Sequence, residues 1–289
     1  MTAGPLEITD LLWPVDADGA RLPALRAGVL GQLAGRGQHR AARIVARMPA
    51  AGGLLDPGYL DTLAVRVHCE LQRLSEELQL GRRIAALLGP LTAGLRREAP
   101  GAPVRVVDVG CGLGYVVRSM AAVSALGPGV ELVGVDVNPV LAAEAARLAR
   151  LEGLDCRFTC GDALKPGGAV ADPARTVIIS SGLLHHLPAA GLPEFFAAQG
   201  RLGVAAFAHW DIAPCLWSTL GAWVFHQARM REAVSRHDGV LSARRAHPAA
   251  VLRAAAQAGA PGYQVRVLEG PRWRPRALDV LRPVVGTRA

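Results

Sequence analysis

Four groups of polar residues in this 289-residue chain stand at spacings that could do chemistry. The first is Asp108-x-Gly110-x-Gly112-x-Gly114, within VVDVGCGLG. Three glycines alternate behind an aspartate and lead into a helix-like run, and a turn of that kind leaves bare backbone N–H groups beside a ligand at a helix N-terminus. A nicotinamide dinucleotide asks for G-x-G-x-x-G, but Tyr115 stands where its last glycine belongs, and the Gly-Lys-Ser/Thr of a phosphate-cradling loop is missing. An aspartate just ahead of the loop is awkward for a pyrophosphate and helpful for a cation. The second group is Asp136 in VGVDVNP, a carboxylate able to accept both hydroxyls of a ribose. The third is Asp162 in CGDA, able to accept from an adenine amino group, followed by Ser180 and Ser181 at the end of the next apolar run. The fourth is His185 and His186 in SGLLHHLP together with His209 and Asp211 in FAHWDIAP.

Histidine titrates near neutrality, which suits proton removal from a phenol, hydroxyl or amine. His185, His186, His209 and Asp211 are therefore the candidate catalytic residues. Imidazoles with a carboxylate also suit iron or zinc, but no helical His-x-x-x-His spacing fixes a ligand set. Cys156 and Cys160 have a zinc-like spacing with no second pair behind them. No metal is expected.

The elements that must position these groups are strands alternating with helices. VRVVDVG (104–110) is a fully apolar, β-branched run, as in a strand buried on both faces. Further strands are expected at 130–138, 156–163, 175–182, 202–212, 262–270 and 277–286, most of them separated by helix-length segments. That rhythm implies right-handed crossovers and an α/β, doubly wound, mostly parallel seven-stranded Rossmann-like sheet. Residues 20–96 read instead as helices. Leu60, Leu63, Val67, Leu71, Leu74 and Leu78 form one apolar stripe at spacings of three and four. The stretch EAPGAP (98–103) marks the boundary between an N-terminal helical segment (1–98) and the sheet domain (99–289). A helical insertion at about 215–247, before the sixth strand, carries Trp217, Trp223, Phe225 and His226. The N-terminal helices and the insertion are expected to form a lid over an acceptor pocket. For His226 and Trp223 the favoured reading is an amphipathic helix burying its own face.

Composition narrows the class. Net charge is +8, but Lys165 is the only lysine and Asn138 the only asparagine, so arginine replaces lysine throughout. The arginines are spread along the chain without aromatic interleaving, and a nucleic-acid partner is not expected. No run of eighteen apolar residues lacks a charge or breaker, so no membrane partner is expected. The five cysteines are odd in number and scattered, which fits reduced thiols in a cytoplasm. The leucine stripe leaves a homodimer open, although such stripes more often pack within their own chain.

Taken in order, VVDVGCGLG, VGVDVNP, CGDA and ISSGLLHHLP resemble the class I S-adenosylmethionine-dependent methyltransferases, strongly over about 104–188. S-adenosylmethionine carries an ammonium and a sulfonium and no phosphate. The resemblance implies a seven-stranded sheet with the last strand antiparallel. It implies that Gly110, Gly112 and Gly114 approach the methionine moiety, that Asp136 takes the ribose and that Asp162 with Ala163 flanks the adenine; Asp108, Cys111, Val137, Asn138 and Ser180 are the further expected cofactor-binding residues. The [Asn/Asp]-Pro-Pro-aromatic motif of amino-base methyltransferases is absent, as are the paired glutamates of protein-arginine enzymes. Pro214-Cys215 follows the wrong strand for a cytosine-C5 nucleophile. The expected activity is methyl transfer to O, N or C of a small-molecule acceptor. The alternatives are cyclisation or aminopropyl transfer from the same sulfonium, an RNA methyltransferase, and a cofactor-binding partner protein without turnover.

Overall fold

The computed structural model describes residues 5–16, 21–214, 216–268 and 281–288, with backbone alone for 216–218. Cys215, the side chain of Trp217 and the expected strand ends at 269–270 and 277–280 lie outside the described residues. The chain divides into two compact units, Met1–Glu70 with Pro214–Arg245, and Leu71–Ala213 with Ala246–Ala289.

The second unit is built on a seven-stranded sheet: β1 Val104–Val109, β2 Val130–Asp136, β3 Arg157–Cys160, β4 Thr176–Ser181, β5 Ala206–Ile212, β6 Tyr263–Val267 and β7 Leu281–Arg288. Their order is β3-β2-β1-β4-β5-β7-β6. Strands β1 to β5 pair in parallel, and β7 runs antiparallel to both β5 and β6. The expected doubly wound sheet with an antiparallel last strand is the observed one. The chain starts at β1, winds outward to β3, then returns to β4 on the other side of β1. Ligands in open sheets bind at the carboxyl ends flanking such a reversal.

Alternation along the strands supplies two apolar layers, because successive side chains face opposite sides. Val107, Val109, Ile178 and Phe207 pack with helices α4 (Leu192–Leu202) and α5 (Ala249–Gly259) through Phe195, Phe196, Leu252 and Ala256. Val106, Val177, Ile179 and Trp210 face the other way, against α1 (Leu80–Glu98) and α2 (Tyr115–Ala122) through Ile84, Leu88, Val117 and Met120. Helix α3 (Pro139–Leu151) links β2 to β3, and Asn138 caps it by accepting from the Val140 N–H at 3.0 Å.

The first unit is helical. Arg26–Gly35, His39–Ala46 and most of Pro57–Glu77 bury Leu33, Val45, Leu60, Leu63 and Val67 around Ile8 and Leu12. The insertion forms two helices, Leu216–Arg229 and Ala233–Arg245, and Val234 joins this same core. Polar ties reinforce the arrangement. Asp238 accepts from the Ile8 and Thr9 N–H groups, both at 2.9 Å, and Glu70 accepts from the N–H groups of Arg231 and Glu232 at 2.6 and 3.1 Å.

Packing therefore divides the chain at residue 70, ahead of the Pro/Gly stretch at 98–103. Helix α1 sends Leu80, Ile84 and Leu88 into the sheet's core and goes with the sheet. The leucine stripe follows the same division: Leu60, Leu63 and Val67 are buried, whereas Leu71 is exposed. No helix among the described residues is long and apolar enough to cross a membrane.

Helices α4 and α5 approach most closely at Gly259. A Cβ there would lie 2.2 Å from the Pro193 carbonyl oxygen and 3.0 Å from the Ala197 nitrogen, both backbone atoms that cannot turn aside. Gly259→Ala is expected to destabilise the protein by about 1–3 kcal/mol, as overpacking does. Urea unfolding of the two proteins checks this, and unchanged midpoints would mean the helices separate freely.

Candidate active site

The glycine loop leaves β1 at Val109 and enters α2 at Tyr115. Gly110, Gly112 and Gly114 have φ of 70°, 55° and 70°, values that side chains with a Cβ seldom adopt. Gly114 carries a second requirement, since a Cβ on it would lie 2.2 Å from the Phe158 ring. Four of the loop's N–H groups are used within the protein: Gly110 and Cys111 donate to the Val135 carbonyl at 2.8 and 3.1 Å, Gly114 donates to Cys111, and Gly112 donates to the Asp136 carboxylate at 2.8 Å. The sequence reading took these amides as free donors for a ligand. The structure makes them the loop's own ties, and the glycines serve its conformation and bareness.

Asp136 ends β2 and is buried, with Oδ2 accepting from Gly112 and Oδ1 from the Asn138 N–H at 2.9 Å. Each oxygen has further lone-pair capacity. Asp108 differs. It is also buried, but its Oδ1 has no hydrogen-bond partner among the described residues. Burial first, and the Asp136 charge second, push its carboxyl up to about 8. Burial also pushes the Cys111 thiol upward, with Asp136 and Asp108 adding to the shift.

The other expected cofactor contacts are more ordinary in their surroundings. Val137 is exposed, and Asn138 is the cap of α3. Asp162 is exposed and accepts from the Leu164 N–H at 2.8 Å, a local turn bond, while Ala163 packs partly buried against the sheet's core. Ser180 is fully buried and its hydroxyl meets His209 Nδ1 at 2.8 Å, so that hydroxyl is turned into the core.

Of the four candidate catalytic residues, two are joined directly. His185, in the short turn after β4, places Nδ1 2.7 Å from Asp211 Oδ1, and its backbone N–H donates to Asp211 Oδ2 at 2.7 Å. The histidine is thus gripped at ring and backbone by one carboxylate at the end of β5. Burial alone would raise the Asp211 carboxyl. The His185 ring outweighs it by charge and hydrogen bond, and the Ile212 and His185 N–H groups add to the opposing pull, so Asp211 is held below its ordinary value. An ionised carboxylate only accepts, which places a ring proton on Nδ1. His186 lies beside this pair, its ring centroid 4.4 Å from that of His185.

His209 is withdrawn from the candidate bases. It is fully buried with Ser180 on Nδ1 and Gln199 Oε1 3.0 Å from Nε2, among the rings of Phe195, Phe196 and Phe207. Burial lowers it to about 3, partly opposed by Asp211, so it is a neutral core residue. In the insertion, His226 is buried within the helical unit with Nδ1 3.0 Å from the Ser235 carbonyl, whereas Trp223 is half exposed. For His226 the packing reading is the observed one.

Two contributors escaped the sequence reading. Phe158 on β3 lies against Gly114 and Gly134 and fixes the space under the loop. Arg118, buried in α2, donates from Nε to the Leu113 carbonyl at 3.1 Å and from NH2 to Gln72 at 2.7 Å, and it pairs with Glu152. Its signal was a lone arginine in the apolar helix YVVRSMAA.

Comparison with known proteins follows the same lines. Residues 106–202 match the family model described as a methyltransferase domain. That stretch is similar to a methyltransferase domain, and the sheet has the fold of the class I S-adenosylmethionine-dependent methyltransferases. Among solved structures, the plantazolicin methyltransferase BamL, in complex with a triazolic desmethylPZN analog and SAH, aligns with TM-score 0.53 and 12% identity over 79% of this chain and 97% of its own. Magnesium protoporphyrin IX methyltransferase (ChlM) from Synechocystis PCC 6803, with bound SAH, aligns with TM-score 0.46 and 17% identity over 91% of this chain and 100% of its own. The methyltransferase domain of bacterial CtHen1 aligns with TM-score 0.49 and 13% identity over 74% and 98%. No curated protein matches the chain by sequence.

His209 has a consequence for acid stability. Its ring titrates near 6.5 when unfolded and near 3 when folded. The native state thus binds fewer protons below 6.5, and this contribution is present above 6.5 and lost as pH falls through 3. His209→Gln is expected to flatten the decline in stability between pH 6.5 and 4, measured by urea unfolding across a pH series. An unchanged slope would place the acid lability elsewhere.

Proposed function

We propose that this chain is an S-adenosylmethionine-dependent methyltransferase acting on a small-molecule acceptor, with His185 as the base. The observation that carries the reading is the pair of buried carboxyls on the glycine loop, where Asp136 ties the loop to β2 and Asp108 keeps an unpartnered oxygen. An orphaned buried carboxyl oxygen suits an ammonium or sulfonium and opposes a phosphate. The residues present therefore fit S-adenosylmethionine, which when bound supplies an electrophilic methyl group. The methyltransferase-domain match and the bound SAH named for BamL and ChlM support the same cofactor.

Asp136 would accept the ribose hydroxyls through its remaining lone pairs, and Asp108 would face positive charge. His185 would take the acceptor's proton at Nε2, while Asp211 fixes the tautomer and steadies the imidazolium that results. A base of this kind fits an acceptor hydroxyl, phenol or amine, and less readily a carbon. The triazolic desmethylPZN analog named in the BamL complex supports a small-molecule acceptor. The helical unit is assigned acceptor selection.

Isothermal titration tests the cofactor, with S-adenosylmethionine expected to bind and nicotinamide dinucleotide to give no heat. Binding of the dinucleotide instead would overturn the reading. Transfer of labelled methyl groups from S-adenosylmethionine to fractionated small molecules then tests the reaction. His185→Gln is expected to slow transfer about 10²-fold or more with cofactor affinity unchanged. A variant of undiminished rate would remove His185 from the chemistry.

A further inference from the structure

Asp108 raises a question that cofactor recognition alone leaves unanswered, namely where its proton goes. It occupies the second-last position of β1, in register with Gly134 on β2 and Ile179 on β4. Four backbone donors of the glycine loop are directed elsewhere. Gly110 and Cys111 donate to Val135, Gly112 donates to Asp136, and Gly114 donates to Cys111. The titratable groups that interact with it are Asp136 on β2 and the Cys111 thiol in the loop. Arg118 is directed to the Leu113 carbonyl, Glu152 and Gln72 and gives Asp108 no hydrogen bond. Ser180, on neighbouring β4, is taken by His209.

Two carboxyls thus share one small region, and their supports are unequal. Asp136 has a backbone N–H on each oxygen. Asp108 has no hydrogen-bond partner on Oδ1 among the described residues, is buried and interacts with a like charge, three conditions that each favour the neutral acid. A positive ligand reverses the balance, because a cation beside a buried carboxyl favours the anion.

Resting on the function proposed above, we propose that cofactor binding displaces the Asp108 proton: the carboxylic acid loses H⁺ to solvent as a cation arrives, and Asp108 is the residue through which the site selects positive charge. The balance is simple. One O–H bond breaks, one proton enters the buffer, and the carboxylate left behind matches one positive charge on the ligand. The burial-driven rise of this carboxyl to about 8 agrees with an acid that is still protonated near neutrality when no cation is present.

Calorimetric titration of the full chain with S-adenosylmethionine, in phosphate and in imidazole buffer at pH 6.5, measures the protons released. This pH lies below the titration of the ligand's own amino group, near 7.7–8.0 for an ordinary α-amine, so the ligand contributes few. About one proton per cofactor is expected, with affinity rising roughly tenfold per pH unit from 5.5 to 7. Asp108→Asn, with melting confirming its fold, should release none and lose that slope. S-adenosylhomocysteine, which keeps the ammonium and lacks the sulfonium, separates the two sources. Equal release assigns the charge sensed to the ammonium, and none assigns it to the sulfonium. Identical heats for S-adenosylmethionine in both buffers would overturn the proton exchange while leaving the cofactor assignment intact. No heat in any buffer at any pH would overturn the assignment itself.

Discussion

The carboxylate of Asp136 holds two turns at once, and the site depends on that double grip. One oxygen receives Gly112 from the loop after β1, and the other receives Asn138 at the start of α3. These are the turns on either side of the β1–β2 pair, beside the point where the strand order reverses. Hydrogen bonds from backbone N–H to a carboxylate are stronger than neutral ones, more so away from water. The glycines can then keep left-handed conformations that would be poor scaffolding on their own. Phe158 fills the space below them, and Arg118 holds the Leu113 carbonyl beside them.

Much of this was legible in the chain because the sheet is buried on both faces. Apolar runs such as VRVVDV and TVIISS can only be interior strands, and a glycine turn after the first of them locates the ligand edge. Asp108, Asp136 and the His185–Asp211 pair were all visible as polar residues at strand ends. The unequal roles of His209 and Asp211 were not. They are two residues apart on one strand, so alternation puts both on the same face. Only the position of α4 decides between them: Phe195, Phe196 and Gln199 cover His209, and Asp211 lies further along, where His185 turns back to meet it. Ser180 shares His209's fate because the β4–β5 register sets the two opposite each other. Register between strands far apart in sequence is set by tertiary packing, and a single sequence records it poorly.

The partner of the insertion was equally hidden. The insertion at about 215–247 reads as helical, amphipathic around Trp223 and His226, and amphipathicity says that one face must be buried without saying against what. Asp238 and Glu70 supply the answer through backbone N–H groups of Ile8, Thr9, Arg231 and Glu232, donors that every sequence offers everywhere. The division at residue 70 was missed for a related reason. Helix Pro57–Glu77 runs unbroken across it, so no Pro or Gly punctuation marks the change of unit.

That discontinuity bears on how the chain is made. The helical unit draws on residues up to 70 and again on 214–245, with the first five strands of the sheet synthesised in between. At roughly 5–20 residues per second, its first half emerges from the ribosome on the order of ten seconds before the second half exists. Throughout that delay Ile8, Thr9 and Glu70 are without the partners that later complete them. The sheet can begin to assemble first, yet β6 and β7 follow the insertion in the chain, so its last two strands are added after the helical unit's second segment.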